Sequence, residues 1–263
     1  MKKRLSKFYF IFLVIIFCFT ANAQSLEELM QKGDNYYKEF NHTDALNTYL
    51  KADSLYPGNW ILMWKVSRAY VDLAEKMPET TGDEEEAKES EFEKALFYAD
   101  SSVTLAPGKA ETYVRRAIAN GKLALFAGIF SAIGKVNDVK DDCEIAIMLG
   151  NGGNYTQALA HYVLGRGHLK VCEKPYLLRL PLGLGWGDMD DAIRELETAV
   201  KLKPNFRMFY LELAKAYYEE DEYDKAKENL LLLQKAPFVD EDDDAVLKEG
   251  NELLEKVNKE LEE

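Results

Sequence analysis

Cysteine is scarce, three residues in 263, which is too few for a disulfide framework. Basic charge is in deficit: 33 Lys and Arg stand against 46 Asp and Glu, a net charge of -13. A chain so acidic is poorly suited to the phosphate backbone, so nucleic acid is set aside as a partner. Long apolar runs are missing too. The longest, residues 8–19, has twelve residues, short of the ~20 that a helix needs to cross a bilayer. With seven Pro and sixteen Gly in a 47% apolar chain, the composition is that of a globular protein long enough for stacked repeats or one to two domains.

The short apolar run has a different meaning. Lys2, Lys3, Arg4 and Lys7 precede it, and Ala21 and Ala23 follow. A basic start, an apolar middle and an A-x-A end predict a secretory signal peptide over residues 1–23, cleaved after Ala23. The alternatives are an uncleaved anchor and lipidation at Cys18, where Ile16 and Phe17 occupy positions that lipidation wants small. The expected location is periplasmic or secreted.

What the mature chain does contain is periodicity. Within residues 189–234, Ala192 and Ala226 stand 34 positions apart, and Leu196, Ala199, Pro204, Tyr210, Leu213, Ala214 and Tyr217 lie between them. Small residues fall where helices cross closely, large ones recur at helical spacing, and Pro204 follows a helix end. This pattern resembles the tetratricopeptide repeat (TPR), a helix-turn-helix unit that buries its apolar faces only by stacking. Gly33, with Leu29, Tyr36, Ala45, Tyr49, Ala52 and Pro57, matches it in full. A second copy begins near Trp60, with Met63, Ser67 and Tyr70 and then Ala95, Ala99, Ser102 and Pro107, where Ala95 arrives sixteen residues late. A degenerate copy carries Tyr113, Ala117 and Asn120 with Val139, Cys143 and Ala146, and a fourth begins with Ala158, His161, Gly165 and His168.

The resemblance implies an all-α, right-handed superhelix of about five repeats with insertions. The repeats span about 26–58, 60–108, 110–151, 158–205 and 207–236 within a domain of residues 24–238. Residues 239–263 follow as an acidic linker and a capping helix that buries Leu247, Leu253, Leu254, Val257 and Leu261.

Three insertions, at residues 76–91, 123–136 and 172–186, fall between the two helices of a repeat and emerge along one edge. The first holds the acidic run 83–86, expected as a solvated loop or a helix start. The others are apolar. Leu125, Phe126, Ile129, Phe130 and Ile133 are expected to pack against Tyr176, Leu177, Leu178, Leu180, Leu182, Leu184 and Trp186, with a residual exposed patch for a partner or membrane surface as the alternative. Membrane contact is expected only through these insertions.

Repeats interrupted at these places, with the segments YLLRLPLGLGWGDMDDAI and PNFRMFYLELAKAYYEEDEYDKAKENL, resemble the regulator of microtubule dynamics family and its bacterial relatives over about residues 59–233. The likeness implies a non-enzymatic, repeat-built adaptor. The microtubule association of the eukaryotic members is not carried over to an exported bacterial-type chain.

No constellation for catalysis emerges, and no cofactor is expected. His161 and His168, seven apart, occupy large-residue positions of the motif and read as packing histidines, with a metal pair the lesser alternative. Cys143 is placed opposite Leu164, roughly 12 Å from Cys172. That is beyond the ~7 Å reach of a disulfide. The LGNGGN segment around Gly150, Gly152 and Gly153 reads as a turn and matches no phosphate loop.

Function is sought in the lining of the concave face, which the first helix of each TPR supplies. The motif's inward positions give Tyr37 and Lys38, then Trp64, Lys65 and Arg68, then Arg115 and Lys122, then Tyr162, Arg166 and Lys170, and last Lys215 and Tyr218. An acidic protein thus turns a basic, aromatic face inward. Arg binds carboxylates bidentately, and a concave wall focuses its field. The groove is expected to hold a protein or peptide partner, acidic or through its C-terminal carboxylate, with Arg68, Arg115 and Arg166 as anchors and Trp64 and Tyr162 as stacking surfaces. Internal pairing with Glu111, Glu212 and Glu219 or with the acidic insertion is the plainer reading. The alternative function is a binder of a small anionic solute, transporter-associated, which requires a closed cavity lined by these arginines.

Overall fold

The structure, a computed structural model, describes residues 24–126 and 129–262, without the side chains of residues 129–131. The leader expected over residues 1–23, Cys18 with it, and the Ile129 and Phe130 side chains lie outside the described residues.

The chain divides at Pro57 into two units. In the first, α1 (Leu26–Lys38) and α2 (His42–Leu55) form one helix-turn-helix pair. Ser25 and Glu28 close a capping box on α1, each side chain bonding the other's backbone N–H, so donors that the helix leaves orphaned are satisfied. Gly33 lets the helices cross: a Cβ there would stand 2.4 Å from the Tyr49 ring.

The second unit holds four more pairs and a final helix. They are α3 (Trp60–Glu75) with α4 (Gly82–Leu105), α5 (Ala110–Leu123) with α6 (Ile129–Leu149), α7 (Gly153–Cys172) with α9 (Met189–Leu202), and α10 (Arg207–Glu219) with α11 (Tyr223–Lys235). Short α8 (Tyr176–Arg179) lies between α7 and α9, and α12 (Asp243–Glu262) ends the chain. Within each pair the two helices pack closely, and α12 covers α11 and α10. The first helices also touch in succession, α3 to α5, α5 to α7 and α7 to α10, so they share one face. All described elements are helical, and the all-α class of TPR-like repeats with a capping helix is the class observed.

The small motif residues are the ones fully buried. Ala95, Ala117, Ala146, Ala192, Ala199, Ala214 and Ala226 have no exposed surface. Gly165 marks the tightest crossing of this unit, where a Cβ would lie 2.7 Å from Leu196 Cγ and 3.1 Å from the Ala192 carbonyl. Gly165→Ala is therefore expected to destabilise by about 1–3 kcal/mol through overpacking, although alanine is the better helix former. The helical Gly134 faces open space, and there the same substitution should stabilise by roughly 0.5–1 kcal/mol. Urea titration of the two variants reads the opposite signs.

LGNGGN is indeed a turn, and a demanding one. Gly150, Gly152 and Gly153 all have positive φ, +60°, +82° and +76°, a region costly to residues with a Cβ. Asn151 within it accepts the Ala110 N–H at 2.9 Å and donates to Gly108 O at 2.9 Å, closing the start of α5.

The insertions became helix more than loop. The acidic run opens α4: Thr81 and Glu84 form a capping box, and Asp83, Glu84 and Glu85 fill the first turn, where the helix dipole favours negative charge. The second insertion lengthens α6 at its start. The third is held at its far end. Trp186 donates to Asn137 Oδ1 at 2.9 Å and its ring meets His168 edge-on at 5.0 Å.

Among the described residues the expected mutual burial of the two apolar insertions is not seen. Leu125 and Leu177 are 75% and 82% exposed, and Tyr176, Leu178, Leu180 and Leu182 are exposed as well. Phe126 turns instead to Phe92, with ring centroids 5.8 Å apart, in a cluster with Val71 and Leu123. The reason is geometric. Trp186 pins the loop to α6 and α7 by its end, and the leucines of α8 and the 3₁₀ turn after it sit on the free apex. No helix among the described residues is long and apolar enough to cross a membrane.

Candidate binding groove

Trp64 and Lys65 and, one turn on, Arg68 project from α3, and Arg115 comes from α5. The indole of Trp64 has three cations around it, Arg68 at 5.0 Å, Lys65 at 5.1 Å and Arg115 at 5.9 Å from ring centroids, each in cation–π range. Lys65 and Arg115 are both 9% exposed. Among the described residues no carboxylate forms an ion pair with Arg115, and the indole is its aromatic contact. The three cations thus share one indole, and of them Arg115 is without an ion pair among the described residues.

Farther along, the cations are answered from within. Arg166 Nε lies 3.3 Å from buried Glu212, and Lys215 reaches the same carboxylate at 2.9 Å and Glu249 of α12 at 2.8 Å. Arg166 is held more firmly charged by the Tyr162 oxygen and by Glu212, against the cost of burial. Burial acts to lower Lys215, but Glu212 and Glu249 outweigh it and raise its pKa. Lys122 pairs with Glu75, and exposed Lys170 with Glu173. Internal pairing thus claims part of the basic face, through Glu212 as expected and also through Glu75 and Glu249.

The expected aromatic surfaces divide as well. Trp64 stays half-buried beside its cations. Tyr162, expected as a stacking surface, is buried in the core: its ring meets Phe209 at 4.8 Å, and burial pushes its hydroxyl well above the usual range. Large aromatic surface is spent where it is best desolvated, and here that is the joint of α7 and α10. Tyr218 packs on Tyr223 at 5.6 Å. In the first unit Tyr37 meets His42 at 5.0 Å, and Lys38 is exposed.

The histidines pack as expected in one case and pair in the other. His168 is buried, and burial lowers its pKa; the neutral ring accepts the Asp188 N–H at 3.2 Å. His161 Nδ1 lies 2.6 Å from Glu195. Both described cysteines are free thiols, and burial pushes each thiol up. Cys143 packs with Leu164, Ala117 and Val139.

Two open clefts of about 390 and 500 Å³ indent the surface. One is lined by Lys140, Leu164, His168, Trp186, Arg194 and Glu195 among others, the second by Glu79, Glu85, Glu89 and Phe126. Arg68, Arg115 and Arg166 line neither.

Residues 29–258 match the model of the family described as Regulator of microtubule dynamics protein 1-3. The chain belongs to this family. Among curated members of the regulator of microtubule dynamics family, protein 3 of Rattus norvegicus is 26% identical over 251 residues, 89% of this chain and 50% of that protein. Protein 3 of Bos taurus is 27% identical over 238 residues, 86% of this chain and 48% of that one. The chain spans about half the length of the curated relatives it matches. Of solved structures, a thermophilic TPR protein of Thermus thermophilus aligns with a TM-score of 0.64 at 15% identity, over 86% of this chain and 98% of that one. PilW, a type IV pilus biogenesis factor, aligns with a TM-score of 0.56 at 14% identity, over 91% and 93%. These likenesses establish the TPR fold.

Proposed function

We propose that this chain is a non-enzymatic, exported TPR scaffold that binds an acidic segment or C-terminal carboxylate of a protein partner through the face formed by the first helices of its second unit. The observation that carries this reading is the cluster of Lys65, Arg68 and Arg115 around Trp64, in which the buried Arg115 has no ion-pair partner among the described residues. A planar guanidinium held on an indole is pre-oriented for a carboxylate, and Arg and Trp are frequent anchors of protein interfaces. The small-solute alternative draws no support from the clefts, which are open and lack the three arginines.

Calorimetric titration with a twelve-residue glutamate peptide, free or amidated at its C-terminus, tests the reading. The protein carrying Arg68→Ala, Arg115→Ala and Arg166→Ala should bind at least tenfold more weakly than the wild type. Equal binding by both proteins removes the groove from consideration.

A further inference from the structure

The acidic linker does not trail from the last repeat. Its turn is built by buried Asp243, whose carboxylate accepts the N–H groups of Val239 at 2.6 Å and Asp240 at 2.8 Å. Asp240 in turn accepts the Asp242 N–H at 3.2 Å. This arrangement carries Glu241 to Lys76, at the end of α3, with Nζ 2.5 Å from Oε2 across 165 residues of sequence. The Asp242 carboxyl is raised by burial and by Glu75 and Glu241, against the weaker pull of Lys76 and Lys122. One turn into α12 and beyond, Glu249 bonds Lys215 of α10 at 2.8 Å. A single acidic segment therefore touches cations on the first and the last of the first helices in this unit.

We infer that residues 239–249 are a built-in acidic occupant of this face, and that an acidic partner binds by displacing their carboxylates from Lys76 and Lys215. The inference rests on the groove reading above and adds to it what the partner must resemble: a segment with acids at both ends of about one helical turn to three, able to replace Glu241 and Glu249 together. Tethering gives the internal segment a high effective concentration, so it sets a threshold that weakly acidic competitors do not cross. Arg115, which the internal segment leaves without an ion pair, supplies the contact that a partner gains and the segment lacks.

Two measurements on the full chain decide the matter. The isosteric variant Glu241→Gln, Asp242→Asn, Glu249→Gln, checked for native helicity and melting, should bind the twelve-residue glutamate peptide about tenfold more tightly than the wild type, since the charge pairs of Glu241 and Glu249 no longer compete. In the wild type, adding the peptide should speed hydrogen exchange at the Val239 and Asp240 amides. Equal affinity of the two proteins, or exchange unchanged by a peptide that binds, overturns the displacement while leaving the groove reading in place. Binding by neither protein overturns the groove reading and the displacement with it.

Discussion

Arg116→Ala is expected to cost about 3–5 kcal/mol of stability, because it leaves a buried carboxylate without its partner. Arg116 of α5 holds Asp142 of α6 bidentately, Nε to Oδ2 at 2.8 Å and Nη2 to Oδ1 at 2.7 Å, and the Asp142 side chain is only 4% exposed. The two partners respond unequally. Arg116 is raised by its bond to Asp142, while burial raises Asp142 by more than Arg116 lowers it. The intact pair is thus close to balanced, and the large effect belongs to breaking it. The sign with pH follows. A carboxyl whose folded pKa is raised binds its proton better when folded, so the loss in Arg116→Ala should shrink as pH falls through that raised value. Replacing both residues, as Arg116→Met with Asp142→Leu, should recover most of the loss. Urea midpoints for the wild type, single and double variants at pH 7 and pH 5 measure all of this. A single variant as stable as the wild type would refute it.

Phe209→Ala is expected to cost a similar 3–5 kcal/mol, for a different reason: a cavity in the core. Phe209 is 1% exposed, and its ring lies 4.8 Å from Tyr162 and 5.3 Å from Phe206. It joins α10 to α7 within the cluster that also holds Leu196, Leu211, Leu213 and Leu230. Its neighbour Phe206 is only partly buried, so Phe206→Ala should cost less than half as much. Because Tyr162 stacks on Phe209 and neighbours Arg166, the larger loss should also loosen the Arg166–Glu212 pair. Thermal melts give the stability difference. Weaker binding of the glutamate peptide by Phe209→Ala than by Phe206→Ala, measured well below both melting temperatures, gives the coupling.

How much of this was legible in the chain differs between the core and the groove. Gly33, Gly165 and the alanines at the crossings declare themselves by spacing, because helix packing repeats with the helix period and each position sees a neighbour from its own or the next repeat. The placement of Cys143 against Leu164 was countable for the same reason. The apolar insertions misled: leucines at 177, 178, 180 and 182 suggest burial by composition, and only the anchoring of Trp186 by Asn137 and His168 reveals that they occupy an apex. The groove was half legible. Its cations stand at motif positions, but Glu75, Glu241 and Glu249, which pair with Lys122, Lys76 and Lys215, carry no mark in the pattern. An acidic run at residues 240–244 was visible, and its return to α3 was not.

Taken alone, the order of residues determined the helices, their pairing into repeats, the small residues at each crossing and the sign of charge on the first helices, since all of these depend on neighbours close in sequence. Only the tertiary structure decided which of these cations are paired from within, and by which carboxylates. Long charged side chains find partners by proximity in space, and here the deciding proximity joins Lys76 to Glu241, residues brought together by the stacking of every repeat between them.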